Sequence, residues 1–246
     1  MKIRNLIFFL SLLIVLFAAC SKSGVNGDIR PTYVQMMNTC YGKTFNLHIG
    51  DKDLLTDVAY DSISPFAIGT PGFYSLQVIK STTKTNVLTG NINLQPNLYY
   101  SLYLVPDSTT GSDSVLYSLT GNARVAPLYD TAKIQLLNFA YNLPPVNFYM
   151  VQLEGANAGT TNDTLRTNSV IFQSRSYLDV NGNSALAQFY SVHTLRYKFV
   201  FQRSADRQDV YDTSFSLIKG AFYTVLLEGN YESTGADSMK VRFIQQ

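Results

Sequence analysis

The 246-residue chain contains two Cys (Cys20, Cys40) and two His (His48, His193), and these bound the nucleophilic and metal chemistry open to it. A thiol or hydroxyl nucleophile needs a base within hydrogen-bond reach, and a structural zinc site needs four ligands. The spacing indicates no such pairing. No G-x-S-x-G, H-E-x-x-H, C-x-x-C or phosphate-cradling Gly-rich pattern occurs. Asp51, Asp53 and Asp57 form an acidic run, but no Gly lies among them and no Glu follows at EF-hand spacing. They read as a solvated hairpin turn. No catalytic residue, metal ligand or cofactor is therefore expected, and the chain reads as non-enzymatic.

Two polar, Gly-containing stretches are the candidate binding loops. Residues 154–167 carry Glu154, Asn157, Asn162 and Asp163, and residues 174–184 carry Asp179, Asn181 and Asn183. Long loops at the end of a β-sandwich are common sites of recognition; the alternative is a drifted hairpin extension without function. A hydrolase using these loops is a further reading, and it lacks an evident nucleophile–base pair. The 17 Tyr and 15 Phe, with no Trp, could stack on sugars. Their alternate spacing instead assigns most of them to core or corner positions, as with the Tyr beginning the Tyr99 and Phe222 segments. Asp followed by Ser or Thr and then a small or apolar residue places acceptor hydroxyls at Ser62, Ser108, Ser114, Thr131, Thr164 and Ser238. That triplet resembles the acceptor of general periplasmic O-glycosylation in Bacteroidetes, and Asp-Ser is also ordinary turn chemistry.

Charged residues are 15% of the chain, 19 basic against 17 acidic, so no basic field recruits nucleic acid. The N-terminus explains the small excess. Lys2 and Arg4 precede an apolar run from Leu6 to Phe17, closed by Ala18-Ala19-Cys20. Such a run is too short for a permanent span, which needs about 20 residues, and fits an export signal. Small residues before a Cys resemble the lipobox of bacterial lipoproteins. That resemblance implies removal of residues 1–19, lipidation of Cys20 and a flexible tether over 20–30. Ser21 after the Cys favours delivery to the outer membrane by the same resemblance. No acidic cluster follows Cys20, which leaves open a periplasmic or a surface-facing position.

The elements that must position any site are repeated. Val34-Gln35-Met36-Met37-Asn38 matches Ile134-Gln135-Leu136-Leu137-Asn138, and Asn46-Leu47-His48 matches Asn147-Phe148-Tyr149. The segment from Phe73 to Ile79 aligns by alternation with that from Thr194 to Val200, which sets His193 opposite Gly72. The run from Tyr99 to Leu104 matches that from Phe222 to Leu227. Cys40 faces Ala140 in this alignment, which marks a small buried position. Five to eight alternating residues between Pro, Gly, Asn and Asp read as strands with one face to a core and one to water. An all-β chain of two tandem sandwiches follows: residues 31–121, a connector over 122–128 that limits relative motion, and residues 129–246 with loop insertions.

The ordered pattern of the Val34 strand ending in Asn38, Asn46-Leu47-His48, Val58-Ala59-Tyr60, the 70–78 strand and Pro96-Asn97-Leu98-Tyr99-Tyr100 resembles domain-of-unknown-function family 4397, in tandem copies. The resemblance implies immunoglobulin-like β-sandwiches and no established chemistry. Asp is usual in that family where this chain has Asn46 and Asn147. The expected protein is a non-catalytic envelope lipoprotein, a binding or structural module held to the membrane by its lipid. A carbohydrate-binding or adhesin and fimbrial-type surface protein is the alternative, with an envelope protein or a glycan as partner. The sequence leaves the oligomeric state open.

Overall fold

A computed structural model describes residues 30–107, 114–153 and 170–246, and nearly all of their regular structure is β. In the first module β1 (Thr32–Asn38), β8 (Tyr99–Pro106) and β9 (Val115–Asn122) share a sheet with the short β4 (Ser62–Ile63) and β5 (Ala67–Gly69). The opposing sheet has the order β3-β2-β6-β7, from β2 (Phe45–Ile49), β3 (Lys52–Val58), β6 (Gly72–Lys80) and β7 (Asn86–Leu94). The second module repeats both. β13 (Tyr190–His193), β10 (Thr131–Tyr141), β16 (Phe222–Asn230) and β17 (Lys240–Gln245) form one sheet in that order. β12 (Val170–Arg175), β11 (Val146–Gln152), β14 (Arg196–Arg203) and β15 (Asp209–Ser216) form the other. In each module the first strand pairs in parallel with the penultimate one, β1 with β8 and β10 with β16.

Side-chain bonds recur with the strands. Asn38 and Asn138 each accept from the backbone N–H two residues on, and each Nδ2 donates to a carbonyl of the neighbouring sheet, Val58 and Arg175 respectively. Asn46 Oδ1 accepts from Asp57 N and Ser81 Oγ; Asn147 Oδ1 accepts from Ser174 N and Ser204 Oγ. Asp57 and Ser174 sit at positive φ beside irregularities in the β2–β3 and β11–β12 ladders. The Asn oxygen thus holds a bulge in a conformation L-residues disfavour. An acceptor is all that this position demands, and a carboxylate supplies one equally well. Tyr100 and Tyr223 hydroxyls each accept a backbone N–H five residues upstream, from Gln95 and Ile218, which is the corner role expected of them.

One alignment shifts. Asn46 pairs with Ile79 and Asn147 with Gln202, so the Phe73 strand corresponds to residues two further along than alternation predicts. Tyr74 then matches Tyr197, and His193 matches Thr70 rather than Gly72. A two-residue slip leaves every side chain on its own face, and a period of two is blind to it.

Alternation also predicts that every strand shows one face to water, and four strands do not. Val34, Met36, Leu102 and Leu104 pack inward against Leu47, Val78 and the rest of the first core. Ile134, Leu136, Val225 and Leu227 do the same with Phe148, Phe199 and Phe201 in the second. The reverse faces of β1, β8, β10 and β16 meet each other: Met37, Tyr103 and Val105 against Leu137, Phe139, Leu226 and Ile244. The Tyr103 and Phe139 rings lie 5.3 Å apart between centroids. Four sheets are therefore stacked, with the two parallel-paired sheets in the middle and buried on both sides. Each apolar side chain in that middle layer contributes about 1.5–3 kcal/mol by burial. The modules are held by a shared core as well as by their connector.

Arg124, in the connector, lies 4.5 Å over the Phe66 and Tyr99 rings and 5.7 Å over Phe222, and donates to Gln246. The starts of β8 and β16 are thus at one end of the stack, and the central strands of both modules run the same way. The second insertion is also spent on this contact. Val180, in the short helix α1 (Asp179–Gly182), and Ala187 are buried in the shared core, and Asn181 Nδ2 donates to Tyr117 O at 3.1 Å. Arg175, 2% exposed, is held by Asp179 through bonds of 2.7 and 2.9 Å. Removing one partner of a buried pair strands the other charge. The Asp179→Ala variant should lose about 3 kcal/mol of stability, read by chemical denaturation; a loss below about 0.5 kcal/mol, the size of an exposed pair, would refute this.

Candidate functional site

At the other end of the strands the two modules diverge around a cleft of about 490 Å³. Thr39, Cys40 and Tyr41 enter it because β1 ends at Asn38, and Pro106 and Asp107 because β8 ends beside it. The second module supplies Tyr141 after β10, Glu228 and Gly229 on β16, and Asp237, Ser238 and Lys240 from the approach to β17. Gly229 is required here. Its φ is +89°, and a Cβ would lie 2.5 Å from the Ser238 carbonyl oxygen, because the chain from 235 to 238 folds back onto β16.

Cross-module bonds close the sides. Lys240 Nζ donates to Tyr60 Oη at 3.0 Å, and Arg242 pairs with Asp61. The Tyr60 ring meets Tyr41 edge-on at 5.1 Å. Glu228 is the anomaly. It is 3% exposed, both carboxylate oxygens are shut off from solvent, and it pairs with the Arg242 guanidinium at 3.6 Å. Burial raises its carboxyl to about 7, against the opposing pull of Arg242 and Lys240. Val105 occupies the equivalent place in the first module, where β8 pairs with β9 as β16 pairs with β17. A carboxylate in the otherwise apolar segment Val225-Leu226-Leu227 was the visible signal for this site, and loop length drew attention elsewhere.

Burial lifts the Cys40 thiol to about 12, so it is protonated at neutral pH and no nucleophile. The hairpin turn at Gly50-Asp51 sets His48 opposite Asp53, with Nδ1 2.8 Å from the carboxylate. Spacing alone did not indicate this His–carboxylate pair, although a two-residue turn dictates it. Among the described residues no three His, Cys, Asp or Glu converge as metal ligands.

Of the candidate binding loops, Asp179, Asn181 and Asn183 are committed to internal bonds: with Arg175, with Tyr117 and with the N–H of Ala185. Glu154, Asn157, Asn162 and Asp163 lie outside the described residues. So do Cys20 and the acceptors Ser108 and Thr164. Ser62 and Thr131 donate their hydroxyls to the carbonyls of Ala59 and Leu128, Ser114 precedes β9, and Ser238 lines the cleft. Among the described candidates, Ser238 lines the cleft.

Because folding raises the Glu228 pKa, its contribution to stability is complete below pH 4.5 and is lost as pH rises through about 7. The Glu228→Gln variant should therefore melt ever higher relative to the wild type between pH 5 and pH 8, by up to about 3 kcal/mol. Thermal melts at intervals of one pH unit check this, and a constant gap would refute it.

A comparison with curated protein sequences returns no significant match. Among solved structures, a family-26 carbohydrate-binding module of Eubacterium rectale, in complex with maltoheptaose, is 8% identical with a TM-score of 0.29. The alignment covers 87% of this chain and 97% of that one. A streptococcal virulence factor that binds α-glucan is 8% identical, with a TM-score of 0.26, covering 86% of this chain and 97% of that one. The fimbrial anchor protein Mfa2 of Porphyromonas gingivalis is 9% identical, with a TM-score of 0.24 and coverages of 88% and 97%. Residues 32–149 match the family model described as domain of unknown function DUF4397, which takes in the whole first module together with β10 and the start of β11.

Proposed function

We propose that the protein is an exported, lipid-anchored binding module, without catalysis, whose cleft lies at the end of the folded body opposite the point where the chain enters it. The observation behind this reading is the polarity of β1. The chain enters the folded body at Pro31, and β1 then runs to Asn38, directly before the cleft residues Thr39, Cys40 and Tyr41. At about 3.3 Å per residue, entry and cleft stand roughly 25 Å apart. Lipidation of Cys20 would leave ten residues before Pro31, eight of them polar or Gly, spanning at most about 35 Å. Outer-membrane residence, in a diderm of the Bacteroidetes type, is part of the proposal, as is descent of the second module from a second copy of the same family.

Multiple acyl chains make anchoring stable, each buried methylene adding about 0.8 kcal/mol. Expressed in such a bacterium, the wild-type chain should incorporate an alkyne-labelled fatty acid and fractionate with outer membranes. The Cys20→Ser variant should lose the label. A wild-type protein that is unlabelled and recovered in the aqueous phase of a detergent partition would end this reading.

A further inference from the structure

We infer that the end of the folded body at which the chain enters is a bilayer-docking face, with Ile68, Phe73, Val125, Leu128, Tyr129 and Ile218 set into the headgroup layer. This rests on the lipid anchor proposed at Cys20.

The placement of exposed apolar groups carries the inference. Among the described residues eight large hydrophobic side chains are exposed, and six of them belong to three stretches of chain at that one end. Strand register places each stretch. Ile68 pairs with Tyr33 at the start of β1 and Gly69 with Thr32, and the turn that follows leads to Phe73 at the start of β6. Val125, Leu128 and Tyr129 lie between Asn122, which pairs with Tyr99, and Thr131, where β10 begins. Ile218 lies between β15 and β16, in a turn whose Gly220 N–H donates to the Thr131 carbonyl. Of the other two, Tyr41 stands at the cleft and Tyr190, on β13, packs edge-on against Phe172.

The three stretches are joined. Lys219 Nζ meets Asp130 at 3.0 Å, which ties the turn of Ile218 to the stretch of Tyr129 and matches the two charges that stand between them. Arg124 lies over the ring of Phe66, two residues before Ile68. One surface thus crosses both modules. Leu128 is 76% exposed and Tyr129 85%, and neither belongs to any of the three cores. Single exposed apolar side chains are ordinary; six gathered at one end mark an interaction surface.

The chain outside the body says what covers it. The ten residues between Cys20 and Pro31 reach at most about 35 Å and end at this same face. An acyl anchor on Cys20 keeps the bilayer surface within reach of the patch, at an effective concentration on the order of millimolar, so even a weak contact is populated. A second copy of the chain has no such advantage. Isoleucine, leucine and phenylalanine partition into the interface, and tyrosine is enriched there with its ring at the level of the headgroups. Docking also gives the body an orientation that a tether alone does not. β1 then leads away from the bilayer, and the cleft opens on the far side.

The chain has no Trp, so one introduced indole reports alone. Tyr129→Trp and Tyr41→Trp place it at exposed positions at the two ends. Each protein is purified with its lipid and reconstituted into vesicles of phosphatidylethanolamine and phosphatidylglycerol. Should fatty-acid labelling show no lipid, the Cys20 thiol is coupled instead to a maleimide-bearing lipid, the buried Cys40 thiol being unreactive. Emission from Tyr129→Trp should move to shorter wavelength on the vesicles and be quenched at least about twofold by lipids brominated along the acyl chain. Emission from Tyr41→Trp should do neither. Adding Ile68→Asp and Phe73→Asp, in a separate stretch of the same face, should abolish most of the quenching while keeping the cooperative melting of the parent. Quenching that is absent from Tyr129→Trp, or equal at both ends, would overturn the proposal. So would a blue shift without vesicles that grows with protein concentration, which assigns the face to a second copy of the chain. A protein without fatty acid that still docks through the coupled lipid would overturn the anchor and leave the docking face standing.

Discussion

Burial of two parallel-paired sheets against each other is the constraint on which the rest of this structure depends. A sheet covered on one side needs alternating strands; a sheet covered on both needs nearly continuous apolar ones. That is the composition of Met36-Met37, Leu102-Tyr103-Leu104-Val105, Leu136-Leu137 and Val225-Leu226-Leu227. Among the polar side chains admitted to the middle layer, two pairs match: Gln35 donates to Ser101 at 2.8 Å, and Gln135 to Thr224 at 2.7 Å. These pairs are equivalent in the two modules, so the contact is an internal version of the self-complementary interface of a twofold dimer. Arg124 at one end and the α1 segment at one side are additions that fit around it. The cleft is simply where the two sheets stop touching.

Three charges set the second module apart from the first. Glu228 stands for Val105, Arg242 for Ser118 and Arg175 for Val58, all three charges on the second module. Arg175 is explained by Asp179, which is brought close by the inserted turn after β12. Arg242 is explained by Asp61 of the first module. Glu228 faces the same Arg242 guanidinium at 3.6 Å, so the two second-module charges arise as a pair.

The all-β fold and the recurrence of its strands were legible because Asn38 and Asn138, Asn46 and Asn147, and Tyr100 and Tyr223 recur with their surroundings. The corner role of the tyrosines and the small buried site at Cys40 and Ala140 were legible for the same reason. Which sheet lies against which was not, since an apolar run such as Leu226-Leu227 looks the same whether its second face meets solvent, lipid or another sheet. His48 and Asp53 are brought together by a turn two residues long, a contact in register rather than in motif. The site itself is assembled from six separate stretches of chain, none with a distinctive spacing. Its one local mark, a Glu inside a hydrophobic strand, is a sign of something unusual and not of what.

The position of β1 has a mechanical meaning. The chain that enters at Pro31 becomes an interior strand, bonded along one edge to β8 and along the other to β4 and β5, and covered on both faces. A pull on the N-terminus along the strand axis would load all those lateral bonds together, in shear, instead of opening them one after another as a zipper does. An edge strand in the same place would peel. Were the protein held by its N-terminus and loaded at the far end, the fold would resist most strongly along the direction of pull.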